Sequence, residues 1–382
     1  ILSMLSMAYC SVVPELAFSC ENRDFGTNPV GTGAFQFQKW LWNEQLVFRK
    51  NPNYSERDEA GRSLPYIDAV SNRFLPEKQA EYLELLRGRI DMVSGLDPSY
   101  VDDAISSNGE LNPRYRNELL MLKGPYLNTE YLGIYLGDLP DGPHDLQDAE
   151  LRKAAHLAFD RQSMLTHLRK GVGEAAGRSI VPPSLPGSLE KEDGNSFNAA
   201  AARELIHAWK LRNQGRSPQI ALYTSSAYLD LCEFVQAAWQ SVGFEAKIEL
   251  MPASSLREGM ANGKLQVFRA SWIADYPDAQ NYLSLFFGPN QAPDGPNYTH
   301  FQSTTFDSLY VFTLRQNNDS LRYSCYRELG QLAAETHAVI PLFYDQAIRF
   351  VNRDWIGLEP NALNLLDLRR AYKRPSPATT GK

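Results

Sequence analysis

The residues best suited to chemistry stand in RASWIADYPDAQNYLSLFF, residues 269–287. Small and apolar residues lead to Trp272, and Asp275 and Tyr276 follow shortly afterwards. Large aromatic side chains bury ligand surface and offer one polar group each. A carboxylate held between two of them is partly desolvated, and it needs a cationic partner because an unpaired buried charge costs several kcal/mol. A ligand ammonium group could be that partner.

Two structural roles for Asp275 are equally open at this point. Its side chain could cap the helix that is predicted to begin near Asp278. It could also pair with an arginine of the protein itself. The residue types and spacing alone do not decide between these roles and ligand binding.

The elements that must position this stretch are predicted over residues 218–272. PQIALYTS, FEAKIELM and LQVFRASW have the pattern of strands, and two helical patterns between them end at Gly243 and Gly263. Strand, helix, strand, helix and strand joined by short links predict a parallel sheet flanked by helices. Ligands of such sheets bind beyond the carboxyl ends of the strands, which is where residues 273–278 are expected.

Composition and motifs exclude several classes of function. The 382 residues are 43% hydrophobic and carry a net charge of −7 without a basic stripe, so we expect two or three globular domains and no nucleic-acid partner. GTGAF at 31–35 lacks the third glycine of a dinucleotide site, and no motif of a nucleophilic hydrolase or metalloprotease is present. The six histidines are scattered, and none lies at metal-ligand spacing from a cysteine. The sequence therefore predicts no catalytic residues, no metal, no cofactor and no enzyme.

The cysteines and the first residues leave the cellular compartment open. Cys10 and Cys20 could be bridged, but four buried or half-buried thiols, these two with Cys232 and Cys325, are the simpler expectation. ILSMLSMAYCSVVPELAF lacks the basic region and the cleavage site of a signal peptide. It is also shorter than the ~20 apolar residues that span a bilayer. We expect the sequence to begin within a longer protein.

Several segments together resemble the extracytoplasmic solute-binding proteins of family 5, and among these the dipeptide- and oligopeptide-binding proteins of ABC importers. They occur in the family's order and are GTGAFQFQKW with LVFRKNPNY, LPYIDAVSNRFLPEKQAEYLELLRGRIDMVSGLD, DAELRKAAHLAFDRQSML and IPLFYDQAIRFV. SWIADYPDAQNYLSLFF stands where the family carries a Trp-x-x-Asp-Tyr motif. The resemblance extends from about residue 7 to residue 372.

The resemblance implies an α/β fold like that of type II periplasmic binding proteins, with two hinged lobes of mixed or parallel sheet, flanking helices and the peptide enclosed between the lobes. Residues 1–125 would form the later part of the first lobe, to which 341–372 return. Residues 126–340 would form a complete second lobe, and 373–382 a disordered tail. The first lobe would be incomplete, because family members begin with a long segment that this sequence lacks. We therefore expect the chain as it stands to bind peptide weakly or not at all.

The resemblance also assigns roles to charged residues. Asp275 matches the aspartate that pairs with the α-ammonium group of the peptide. Arg269 matches an arginine that meets the ligand carboxylate in some oligopeptide-binding members. An internal salt bridge at the end of a strand remains an open alternative for Arg269.

The remaining candidate ligand-binding residues are aromatic or polar. Trp272 matches a wall of the ligand pocket, and Tyr276 follows directly after Asp275 in the sequence. Asn297 and Tyr298 belong to PNYTHF, which matches a loop that returns to the ligand. Tyr131 lies in the strand that enters the second lobe. For each of these residues a place in the core or at the rim is the alternative.

The implied function is capture without chemistry. The protein would be the substrate-binding component of an ABC importer, a monomer that delivers peptides to the permease subunits. It would work in the periplasm or at the outer face of the cytoplasmic membrane, where a lipid could anchor it. Two alternatives stay open: a sensor or regulatory domain of the same fold, and a binder of a non-peptide solute such as nickel, haem or an oligosaccharide. Asp275 favours a ligand that carries an amine.

Overall fold

The computed structural model describes residues 2–5, 7–15, 25–95, 98–189 and 197–375. The chain divides into two units, of which the first contains Ile1–Pro125 and Ala347–Lys382 and the second contains Tyr126–Gln346. The returning segment thus begins at Ala347 and not at the predicted residue 341, because the strand that carries it stays in the second unit through Gln346.

The strands are numbered in chain order. They are β1 Phe35–Leu41, β2 Gln45–Lys50, β3 Ala69–Arg73, β4 Met92–Ser94, β5 Leu119–Ile134, β6 Glu174–Ala175, β7 Gln219–Thr224, β8 Glu245–Leu250, β9 Val267–Ile273, β10 Val339–Asn352, β11 Trp355–Ile356 and β12 Tyr372–Lys373. The α-helices of the described residues are Leu2–Leu5, Lys78–Leu86, Pro98–Ala104, Ala149–Leu157, Arg161–Arg169, Ala199–Arg212, Leu229–Val242, Ala253–Ala261, Ala279–Leu283, Thr304–Thr313 and Asp319–Glu335. β5 and β10 carry the chain from one unit to the other.

The first unit contains an antiparallel three-stranded sheet in the order β1-β2-β3. β4 pairs with the last part of β10, where Phe350 lies opposite Val93. β11 pairs with β12, and the backbone N–H of Arg374 donates to the carbonyl of Asp354 at 2.7 Å. The predicted disordered tail therefore starts too early, since Lys373 is part of β12; residues 376–382 lie outside the described residues.

The second unit is built on a mixed sheet in the order β10-β5-β9-β7-β8, with β6 paired to β10. β7 runs parallel to β8 and β9, whereas β5 runs antiparallel to β9. The helices Leu229–Val242 and Ala253–Ala261 connect the three parallel strands. The strand-helix alternation predicted over 218–272 is confirmed, and the sheet is mixed because β5 joins it from the other direction.

The helix Leu229–Val242 shows how the sequence pattern builds the core. Leu231, Val235 and Trp239 recur at helical spacing and are buried. The indole Nε1 of Trp239 donates to the carbonyl of Ala155 at 2.9 Å, so its polar atom is satisfied inside the core. Gly243 follows with φ of 113°, the left-handed conformation that ends the helix as predicted.

The cysteines follow the sequence expectation only in part. Cys232 and Cys325 are buried free thiols. Cys10 is exposed, so the expectation of a buried or half-buried thiol is wrong for this residue. The possible bridge to Cys20 falls outside the described residues.

The close approach of β5 and β9 at Gly133 gives a test of the fold. A Cβ atom at Gly133 would lie 2.3 Å from the ring of Phe268, which is buried. We expect Gly133→Ala to lower the free energy of unfolding by about 1–3 kcal/mol, because the ring must leave its place in a packed sheet. Gly177→Ala is the control, since nothing lies within 4 Å of its Cβ position, and its effect should stay within about 0.5 kcal/mol. Thermal unfolding followed by circular dichroism measures both variants, and equal melting temperatures would contradict the packing at Gly133.

Candidate ligand-binding site

The candidate site lies where β9 leaves the sheet. β9 ends at Ile273, residues 274–278 form an irregular turn, and the helix Ala279–Leu283 follows. On the neighbouring strand, Thr129 lies opposite Trp272 and Asn128 lies opposite Ile273. The carboxyl end of β9 is therefore beside the segment of β5 that has just entered the second unit.

A buried asparagine holds the turn. Asn281 accepts hydrogen bonds at its Oδ1 from the indole Nε1 of Trp272 at 2.8 Å and from the backbone N–H of Asp275 at 3.4 Å. The helix is capped by Asp278, whose carboxylate accepts from the backbone N–H of Gln280 at 2.9 Å. The capping role that the sequence left open for Asp275 thus belongs to Asp278.

The side chains of the turn separate into accessible and buried groups. Asp275 is exposed and Trp272 is half-buried, so both can meet a ligand. Tyr276 is buried, its hydroxyl donates to Gln280, and burial raises its pKa. The expectation of a partly desolvated carboxylate between two aromatic walls is wrong, because Tyr276 turns into the protein while Asp275 faces solvent.

Arg269 lies on the other face of the sheet from Trp272. Successive side chains of a strand point to opposite faces, so residues three apart in β9 point apart. Arg269 is buried and forms an ion pair with Glu130 of β5, which is also buried. Its guanidinium group lies over the ring of Tyr228. The internal salt bridge, which the sequence left open as an alternative for Arg269, is the arrangement found.

The ion pair belongs to a larger cluster of charges that the sequence motifs did not predict. Asn128 donates from Nδ2 to Glu130 at 3.1 Å and to Asp345 at 3.3 Å, and Asp345 pairs with Arg169 at 2.8 Å. Burial raises the pKa of Glu130, although Arg269 and Asn128 oppose this shift. A glutamate within the apolar strand pattern LNTEYLGIYL was the available signal, because a charge in a buried strand must be paired.

Asn297, a predicted ligand contact, is buried and holds its own loop together. Its side chain is fully buried. Nδ2 donates to the carbonyls of Phe287 at 3.3 Å and Phe301 at 2.9 Å, and Oδ1 accepts from the backbone N–H of Phe301 and the hydroxyl of Thr299. These bonds use the amide on both sides and hold the loop, which leaves no group for a ligand.

Tyr131 and Tyr298 differ in their access to solvent. Tyr131 points to the same face of the sheet as Trp272 and is buried, and burial, with a further contribution from Tyr298, raises its pKa. Tyr298 is half-buried and packs edge-on against Phe268, with ring centroids 6.4 Å apart. Of these two candidates, only Tyr298 presents appreciable surface to solvent.

Metal sites and membrane spans are not found in the described part of the chain. It contains no group of three or more histidine, cysteine or acidic side chains that could hold a metal ion. Its helices include none that is long and apolar enough to cross a membrane.

Comparison with known sequences finds peptide-binding proteins. The periplasmic oligopeptide-binding protein OppA of Salmonella typhimurium is 25% identical over 337 residues, which are 86% of this chain and 58% of the relative. The probable di/tripeptide-binding protein 5 of Pseudomonas aeruginosa is 24% identical over 381 residues, covering 98% of this chain and 68% of the relative. The dipeptide-binding protein of Escherichia coli is 21% identical, covering 85% and 57%. The chain thus spans between 57% and 68% of the length of these relatives.

Comparison with solved structures gives the fold. The periplasmic binding protein DppA from Helicobacter pylori, in complex with the peptide STSA, superposes with a TM-score of 0.77 at 19% identity, covering 98% of this chain and 70% of that protein. Haemophilus influenzae OppA in complex with RPPGFSPFR gives 0.72 at 16% identity, covering 98% and 71%. These likenesses confirm the α/β fold of type II periplasmic binding proteins, with mixed sheets and flanking helices.

The model of the bacterial extracellular solute-binding proteins, family 5 (middle region), matches residues 2–294, which is more than half of the sequence. Family members bind solutes and are not enzymes, in agreement with the absence of catalytic motifs from the sequence. The chain belongs to family 5 of the bacterial extracellular solute-binding proteins.

Proposed function

We propose that this chain is the peptide-capturing part of the substrate-binding component of an ABC importer. The observation that carries the proposal is the accessible pair of Trp272 and Asp275 at the carboxyl end of β9. Ligands of α/β sheets bind beyond this end of the strands. The OppA and di/tripeptide-binding relatives, which are named for the peptides they bind, support the same class of ligand.

In the proposed mechanism, Asp275 receives the ammonium group of the peptide and Trp272 packs against the adjoining part. Asp275 is exposed, and its ion pair with the ligand would strengthen as the ligand excludes water and the local dielectric falls. Asn281 fixes the indole and the backbone of Asp275 through hydrogen bonds to one oxygen. Because the indole and this backbone group are held in place, ordering them costs little conformational entropy when the ligand binds.

The proposal also covers the delivery of the captured peptide and the cellular location of the protein. The protein would deliver it as a monomer to the permease subunits of an ABC transporter. We place the complete protein in the periplasm or at the outer face of the cytoplasmic membrane, with or without a lipid anchor. The periplasmic relatives support this location.

The fold by itself does not select a peptide. AgaA from Agrobacterium tumefaciens, solved in complex with agropinic acid, superposes with a TM-score of 0.73 at 16% identity. A position-specific feature must therefore decide the ligand, and in this chain we assign that role to Asp275. An acidic group at the mouth of the site favours a ligand with a positively charged end.

Asp275→Asn tests the assignment in the complete natural protein. We expect the affinity for a mixed pool of di- to pentapeptides to fall roughly tenfold or more, because the ammonium group loses its charged partner. The melting temperature should change little, since the carboxylate is exposed. Isothermal titration calorimetry measures the affinity, and differential scanning calorimetry measures the stability.

Two controls accompany this variant. The same peptide pool with acetylated amino groups should bind the natural protein as weakly as the free peptides bind Asp275→Asn. Asp294→Asn, which changes another exposed aspartate of the second unit, should leave the affinity unchanged. Equal binding of free and acetylated peptides would show that the protein binds peptides but that Asp275 does not pair with their amino group. No binding of either pool would contradict the proposed function.

Asn281→Ala tests the positioning of the turn. The indole N–H of the half-buried Trp272 loses its buried acceptor, so we expect the free energy of unfolding to fall by about 1–3 kcal/mol and the peptide affinity to fall with it. Asn262→Ala removes an exposed hydrogen bond to the carbonyl of Glu258 and should alter stability by less than about 0.5 kcal/mol. Unchanged stability and affinity of Asn281→Ala would show that the turn keeps its conformation without the hydrogen bonds to Asn281.

A further inference from the structure

We propose that Glu130 sets the specificity of this site by neutralising Arg269. The second unit would then recognise an uncharged amide of the peptide, and it would not read the terminal carboxylate. The inference rests on the proposed function and adds to it which part of the peptide the buried cluster accepts. It assigns Arg269 a different role from the one that the family resemblance implied.

Glu130 already forms a buried ion pair with Arg269. The side chains of Arg269 and Glu130 are 9% and 6% exposed, and the Nη2 group of Arg269 donates to Oε2 of Glu130. The other carboxylate oxygen, Oε1, accepts from Asn128 at 3.1 Å. If a ligand carboxylate formed an ion pair with Arg269, Glu130 would remain charged and buried without its partner, which is strongly unfavourable.

The charges of the cluster balance one another. Arg269 with Glu130 and Arg169 with Asp345 make two positive and two negative groups, joined through Asn128. A carboxylate placed beside them meets as much negative as positive charge and gains little attraction. The cluster thus offers hydrogen-bonding groups without a net charge.

Two buried atoms of the same cluster have no hydrogen-bond partner in the described part of the chain. They are Oδ1 of Asn128, an acceptor, and Nε of Arg269, a donor. Both hydrogens of the Asn128 amide are directed to Glu130 and Asp345, which fixes the orientation of the amide and leaves Oδ1 as the unused atom. A buried polar group without a partner costs about 1–3 kcal/mol, so these two atoms call for a further hydrogen-bonding group, which we assign to the ligand.

The chemistry of these two atoms identifies the ligand group. A peptide unit supplies an N–H for the unused acceptor and a carbonyl oxygen for the unused donor. Arg169 and Asp345, with side chains 26% and 18% exposed, mark the side on which the cluster approaches solvent. A peptide lying across the end of the sheet would meet both Trp272 on one face and this cluster on the other.

The test compares trialanine with its carboxyl-terminal amide, both with free amino groups, by isothermal titration calorimetry of the complete natural protein. We expect the two ligands to bind the natural protein with affinities within about threefold of each other, since the cluster carries no net charge. In Glu130→Gln the charge of Arg269 is released, and the free acid should bind roughly tenfold or more tightly than the amide. The inference would be overturned if the natural protein bound the free acid roughly tenfold or more tightly than the amide and lost this preference in Arg269→Gln.

Further variants keep the test decisive. Asp145→Asn removes a carboxylate that pairs with the exposed Arg216 at 2.6 Å elsewhere in the second unit, and it should leave the ratio of the two affinities unchanged. If Glu130→Gln fails to fold, the double variant Glu130→Gln with Arg269→Gln replaces the ion pair by two neutral amides and should bind acid and amide alike. Peptide binding with a strong acid preference in the natural protein would contradict only the role of Glu130. An absence of binding by both ligands would contradict this inference and the proposed function together.

Discussion

The pairing of β5 with β9 is the constraint on which the site depends. Its register runs from Asn128 opposite Ile273 to Ile134 opposite Val267. A slip of one residue would send every side chain of β9 to the opposite face of the sheet. The ring of Phe268 lies over Gly133 and leaves no room for a side chain there, so this register requires a glycine at position 133. The separation of the accessible indole from the buried ion pair follows from it.

The same register brings opposite charges together inside the sheet. Glu130 lies opposite Ser271 and Arg269 lies opposite Leu132, so the two charged side chains share a face and sit diagonally across the strand pair. An apolar pair of similar size would stabilise such a position at least as well. Charges that bring little stability, and that lie beside an unsatisfied acceptor and donor, are better explained by recognition than by folding.

The sequence was most informative where the determining interactions are local. Helical spacing in Leu229–Val242, the stop at Gly243 and the alternation of strand patterns predicted the framework of the second unit, because each signal acts over a few residues. The place of Trp272 and Asp275 after β9 followed from that framework. The partner of Arg269 did not, since Glu130 lies 139 residues away in the chain and only the folded sheet brings the two together.

Other differences between the expected and the observed site concern residues that are neighbours in sequence but not in space. The period of two in a strand separates Arg269 from Trp272, and this alternation is visible in the sequence of β9 alone. Asn297 has the composition of a ligand-binding loop residue, but its amide is consumed by carbonyls and an N–H of its own loop. No pattern in PNYTHF distinguishes an asparagine side chain that hydrogen-bonds to the backbone of its own loop from one that is available to a ligand.

The exposure of Asp275 and the burial of Glu130 show how one functional group takes two roles. A buried carboxylate needs a cationic partner whenever the chain is folded, so it is not available to pair with a ligand. An exposed carboxylate is hydrated at little cost and can exchange water for an ammonium group when a ligand arrives. The charged group that pairs with a ligand is then expected at the surface, while buried charges near it influence which other ligand groups can bind. In the proposed site Asp275 has the first role and Glu130 the second, whereas the sequence pattern predicted that the ligand-binding carboxylate would be the desolvated one.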